Sequence, residues 1–188
     1  MRSQFFDGFD FAEYKFSIVA VEHVDEFFNI EQYGLHPVIY DESCLRGYAC
    51  IFGFTEDKHL ALHKLFTNNN GRPAPSIDGV EPVPFHSPAG DLRYDLELAI
   101  PYSGSILIAN GFIQKYFVPF GFQIPHAFKK VYELTFDEGL FVRVEDRSEA
   151  ARQLRIEYKE PLPPEKKLQL RVAHWFNKPE EYGFDDET

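Results

Sequence analysis

A two-residue rhythm of apolar and charged side chains limits what this chain can fold into. From Asp91 to Ile100, Leu92, Tyr94, Leu96 and Leu98 alternate with Asp91, Arg93, Asp95 and Glu97. Successive side chains on an extended backbone point to opposite faces, so the pattern specifies a strand with one dry and one wet face. Leu154, Ile156 and Tyr158 alternate in the same way with Arg155, Glu157 and Lys159, and Leu168, Leu170 and Val172 with Lys167, Gln169 and Arg171. Pro161, Pro163 and Pro164 lie between these two runs and forbid a helix there. Residues 153–173 therefore read as two adjacent antiparallel strands with a basic outer face.

Further hairpins follow from turn residues set between apolar runs. Tyr132, Leu134 and Phe136 lead into Asp137-Glu138-Gly139, and Leu140 to Val144 lead out, with Gly139 available for a positive φ. Tyr48 to Phe54 and His59 to Phe66 flank a turn at Thr55 to Lys58. Tyr14 to Val21 and Ser105 to Ala109 read as strands, the latter apolar enough to be buried on both faces. Helix signals are short: Val24, Phe27, Phe28 and Glu31 before Gly34, a single turn from Pro125 through Lys130, and a brief turn at 147–152 announced by Asp146 and Glu149. None approaches the crossover helix that parallel strands require.

The expected fold is therefore α+β: a predominantly antiparallel β-sheet of hairpins and meanders with a few short helices. One globular domain is expected over residues 1–188. It carries a long irregular loop at 67–90, with turns at Asn70-Gly71 and Asp78-Gly79, and an acidic, fraying tail at 179–188.

Composition enters through what it excludes. The longest unbroken apolar run is Tyr48 to Phe52, far short of the roughly twenty residues of a membrane-spanning helix. Asp7, Asp10 and Glu13 interrupt the stretch where an export signal would carry its apolar core. With only Cys44 and Cys50 for disulfide chemistry, a cytoplasmic setting is expected. The 20 Phe and 10 Tyr call for a bulky aromatic core or an exposed aromatic surface that meets a partner or a sugar.

The chemistry-bearing motifs are sparse. The formal net charge of −11 repels phosphate and anionic lipid, so neither nucleic acid nor membrane is expected as a partner, and a basic protein is. Neither of the common glycine-rich phosphate cradles occurs. Ser103-Gly104-Ser105 lacks the first glycine of a nucleophile elbow. His59 and His63 have the spacing of a helical metal pair, but on a strand their rings stand about 13 Å apart, too far to share an ion bound at about 2.1 Å. Asp95 and Glu97 have the spacing of a carboxylate pair, which any wet strand face offers equally.

No catalytic, cofactor-binding or metal-binding residue is assigned, and the chain is expected not to be an enzyme. The leading expectation is an acidic protein-binding module, such as an inhibitor or immunity-type protein for a basic partner. It would act through Asp91, Asp95, Glu97, Glu180, Glu181, Asp185 and Asp186. The alternatives are a hydrolase or small-ligand-binding β-domain whose site is built from residues distant in sequence, and a self-assembling subunit forming a homodimer.

Overall fold

The computed structural model describes residues 3–119, 121–158 and 173–176. Among the described residues, nine strands form one sheet: β1 (Gly8–Phe11), β2 (Tyr14–Val21), β3 (Tyr48–Phe54), β4 (Leu60–Thr67), β5 (Val83–Ser87), β6 (Gly90–Ala99), β7 (Gly104–Phe112), β8 (Phe128–Asp137) and β9 (Leu140–Asp146). Their order across the sheet is β5-β6-β4-β3-β1-β2-β7-β8-β9. The helices are α1 (Val24–Phe27), α2 (Ser148–Glu157) and α3 (Ala173–Phe176). None of the described helices is long and apolar enough to cross a membrane.

The sheet is mixed: most neighbouring strands pair antiparallel, as expected, but one pair is parallel, which the expected hairpins and meanders did not include. β1 runs parallel to β3, with Gly8 opposite Ile51 and Phe9 opposite Phe52. The excursion over residues 22–47, which includes α1 and a 3-10 turn at Ile30–Tyr33, carries the chain from β2 to the far side of β1. A crossover need not be one long helix; any segment of sufficient reach serves. Gly34 ends the 3-10 turn at φ 79°, the left-handed stop that its sequence position suggests.

The alternating run from Asp91 folds as the strand it was read to be. On β6, Tyr94 is buried, while Asp91, Asp95 and Glu97 are exposed. β7 is buried on both faces from Ser105 to Ala109. Ile106 and Ile108 enter the larger core with Phe9, Phe52, Leu62 and Leu134. Leu107 and Ala109 enter a second core on the outer face, with Val131, Ala151, Leu154 and Trp175. Much of the aromatic load is packed edge to face around the inner core, as where Phe27 meets Tyr102 at 5.0 Å between centroids and 82°.

The sheet curls around that inner core until distant strands touch. The Leu60 amide donates to the Gly139 carbonyl at 2.8 Å, and the Phe141 amide to the Lys58 carbonyl at 3.0 Å. The start of β4 thereby meets the tip of the β8–β9 hairpin. That tip is a two-residue turn, Glu138 (φ 45°) and Gly139 (φ 86°), one residue tighter than the three-residue loop expected.

Three further sequence expectations fail. The alternation at 154–158 belongs to helix α2, which covers 148–157 and continues well beyond the brief turn foreseen near 147–152. Ala151 and Leu154 are buried and Ile156 is 53% exposed, so a helical stripe wins over the strand reading. The partner strand drawn at 168–172 and its proline loop lie outside the described residues. The second correction concerns 67–90, which is not wholly irregular. Asn70-Gly71 and Asp78-Gly79 turn with positive φ as expected, but Val83–Ser87 form β5, an edge strand against β6. Pro84 within it and Pro82 just before it hid it, although an edge strand tolerates proline. The single turn opened by Pro125 stops at Ala127, because Phe128 begins β8.

Candidate functional site

The outer face of the sheet is covered over β7 and β8 by α2, α3 and the second core, and only partly covered over β1, β3 and β4. Strand register shows why the second region stays apolar. Ala49 on β3 lies opposite Phe66 on β4, which lies opposite Arg93 on β6. One row on, Gly8 lies beside Ile51, which lies opposite Lys64, which lies opposite Asp95. Ala49 and Ile51 alternate with core residues Cys50 and Phe52, so β3 is apolar on both faces and needs cover on both.

The cover is incomplete and leaves a crevice of about 380 Å³. Ala49, Ile51 and Phe66 form its floor with Gly8, and Phe5 and Phe6 form one wall. Phe85 and the turn Ser87-Pro88-Ala89 form the opposite wall, with Cys44 and Cys50 also lining the space. Phe66 and Phe85 meet at 5.4 Å between centroids. Phe5 is 53% exposed and Phe85 40% exposed, so both aromatic walls reach solvent.

Polar contacts around this space fix its walls. Asp7, between wall residue Phe6 and floor residue Gly8, accepts from the Arg46 guanidinium and from the Cys50 amide. Burial works against the Arg46 charge, and the Asp7 carboxylate more than restores it. Arg46 also lies over the Tyr48 ring at 4.3 Å. On the other wall, Asn68 donates to the carbonyls of Val38 and Ala89 at 2.8 and 2.9 Å. Both cysteines are free thiols. Burial pushes the Cys50 thiol well up, with Asp7 adding to the effect, and burial also raises that of Cys44. Both are therefore protonated and poorly nucleophilic near neutral pH.

The acids singled out from sequence sit elsewhere. Asp91 accepts from the Tyr40 hydroxyl at 2.8 Å and lies 3.2 Å from His86 Nδ1. His86 and Tyr40 hold its carboxyl below the usual range. Asp95 binds Arg93 at 2.9 Å and lies 3.9 Å from Lys64. Glu97 is exposed on the same strand. Glu180, Glu181, Asp185 and Asp186 lie outside the described residues.

His59 precedes β4 and lies 3.2 Å from Asp57, whereas His63 is within β4 and packs over Gly53, where a Cβ would sit 2.8 Å from its ring. No group of three metal-ligating side chains is gathered among the described residues. Sequence reasoning missed the crevice because its lining comes from four separate stretches of chain. The usable signal was β3, apolar on successive residues. Comparison with protein-family models, curated proteins and solved structures gives no match.

Proposed function

We propose that this protein binds a small apolar molecule in the crevice between the Phe5–Phe6 wall and β5, without transforming it. The crevice itself carries the reading: about 380 Å³ lined by aromatic, aliphatic and thiol side chains. That volume falls within the roughly 300–1,000 Å³ typical of ligand pockets. The lining supplies neither an activated nucleophile nor a placed acid–base pair, which supports binding over catalysis. Two reduced, buried thiols suit a reducing compartment such as the cytosol.

The reading as an acidic module for a basic partner rests on the net charge of −11. It ranks second because Asp91 and Asp95 are already engaged by the chain's own side chains.

The test is fluorescence titration with N-phenyl-1-naphthylamine, a neutral apolar probe. Saturable one-to-one binding that is lost in Ala49→Trp, with cooperative melting retained, is the expected result. Ile51→Phe, a smaller insertion into the same floor, should weaken binding. Absence of saturable binding, or binding indifferent to both substitutions, overturns the proposal.

A further inference from the structure

The sheet has two edges, and they are finished differently. β5 contains Pro84 and is flanked by Pro82 and Pro88, and proline withholds the amide that a further strand would use. β9, at the opposite edge, contains no proline. Its first residues are closed against the start of β4, where the Phe141 amide donates to the Lys58 carbonyl. Among the described residues, no strand lies beyond Val142 to Asp146 on the side away from β8.

Register tells which groups that edge offers. The Arg147 amide donates to the Val131 carbonyl at 2.8 Å, in line with Glu145 opposite Glu133 and Arg143 opposite Thr135. Alternate residues of an antiparallel pair turn both backbone groups to the partner strand. Arg143, Glu145 and Arg147 therefore turn theirs to β8, while Val144 and Asp146 turn theirs outward. Val142 and Val144 are also 53% and 46% exposed. An edge of outward amides and half-exposed valines is a template for another strand.

The edge fits a second copy of itself. Val144 is the middle of the stretch from Val142 to Asp146. Two chains related by a two-fold axis through Val144 pair antiparallel over 142–146, and Arg143 of each then faces the partner's Glu145. Moving the axis to Arg143 sets that arginine against its own copy, and moving it to Glu145 sets two carboxylates together, so charge selects the register. Within the chain Arg143 stands 3.8 Å from Glu133, and Glu145 3.1 Å from Arg147, so these four groups balance. The Arg143 and Glu145 side chains are more than two-fifths exposed, which leaves each room for a second contact.

We infer that β9 is the interface of a homodimer in which residues 142–146 of two chains pair antiparallel about Val144. β9 and the crevice wall β5 occupy opposite edges of the sheet, so the inference stands independently of the proposed binding function.

The experiment is sedimentation velocity of the full chain from low micromolar to submillimolar concentration, with hydrogen exchange measured at both ends of that range. A concentration-dependent shift to the mass of two chains is expected, with slower exchange of the Val144 amide at the higher concentration. Arg143→Glu and Glu145→Arg each set like charges together and are expected to weaken the dimer about tenfold or more. An equimolar mixture of the two variants is expected to restore it, because every acid at these positions then faces an arginine.

A chain that stays monomeric throughout the range overturns the inference. So does a dimer whose Val144 amide gains no protection, or one that both substitutions leave intact, since it would use another surface. Folded single variants that remain monomeric when mixed overturn it as well. The mass and exchange of the unsubstituted chain decide the question even where a variant fails to fold.

Discussion

Asp7 and Arg46, 39 residues apart, form a close ion pair beside the crevice, and the same carboxylate oxygen accepts the amide of Cys50 at 2.8 Å. The pair ties the segment before β1 to the start of β3. It thereby sets where Phe5 and Phe6 stand over the floor.

Asp7→Ala should cost about 2 kcal/mol, because it removes hydrogen bonds to a partly buried cation and leaves the guanidinium without its counter-charge. The urea midpoint should fall with an unchanged slope, and affinity for N-phenyl-1-naphthylamine should fall with it because the wall is released. Full stability in Asp7→Ala would show that the pair contributes nothing to the wall.

Asn68 is a small hub of the loop that follows β4. Its side chain accepts from the amides of Val38 and Asn70 at 3.0 and 3.1 Å and donates to the carbonyls of Val38 and Ala89. Asn68→Ala leaves the buried Ala89 carbonyl and part-buried groups at Val38 and Asn70 without these partners, at an expected cost of about 2 kcal/mol. Hydrogen exchange at Val38 should accelerate more than at strand β7; equal acceleration at both would show no local role.

Gly139 combines two constraints. Its φ is +86°, and an added Cβ would sit 2.6 Å from the Ile100 carbonyl oxygen. Its own amide and carbonyl are held by Tyr102 and Leu60, so the turn cannot shift away. Gly139→Ala should cost about 2 kcal/mol or more. Gly79→Ala has a similar φ of +76° with nothing within 4 Å, and should cost about 1 kcal/mol. Thermal denaturation of the two variants distinguishes clash from backbone strain, and equal losses would count against the clash.

Glu133 is a buried acid on β8. Burial raises its pKa above the ordinary 4.5, with Glu145 adding to the rise, while Arg147, Ser105 and Arg143 oppose it. Above about pH 4.5 the unfolded chain loses this proton while the folded chain still holds it, so this group's contribution to stability falls as pH rises. Below that pH both states are protonated and the contribution is constant. The melting temperature of Glu133→Gln relative to the unsubstituted protein should therefore increase as pH rises from about 4.5 towards neutrality. A flat or decreasing difference would mean that the arginines dominate.

The elements legible from sequence are those whose pattern is local. β2 spans Tyr14–Val21 as read, and β6 and the β8–β9 hairpin lie where alternation and Gly139 put them. The same reasoning misjudged α2, because a short run such as Leu154 to Lys159 satisfies a period of two before it reveals a period near four. Ala150, Ala151, Leu154 and Tyr158 carry the helical spacing, and all four touch the second core. Glu149 confirms it by pairing with Arg152 and Gln153, three and four residues on.

By itself, the sequence determined a sheet-rich chain with short helices, because side-chain alternation acts between near neighbours and leaves its mark on strands such as β6 and β8. Only the tertiary structure decided that β1 lies parallel to β3, that the sheet curls until Leu60 meets Gly139, and that Phe5, Ile51, Phe66 and Phe85 border one space. Those relationships join residues tens of positions apart. They follow from which surfaces must be covered together, a requirement of the whole molecule that no local stretch records.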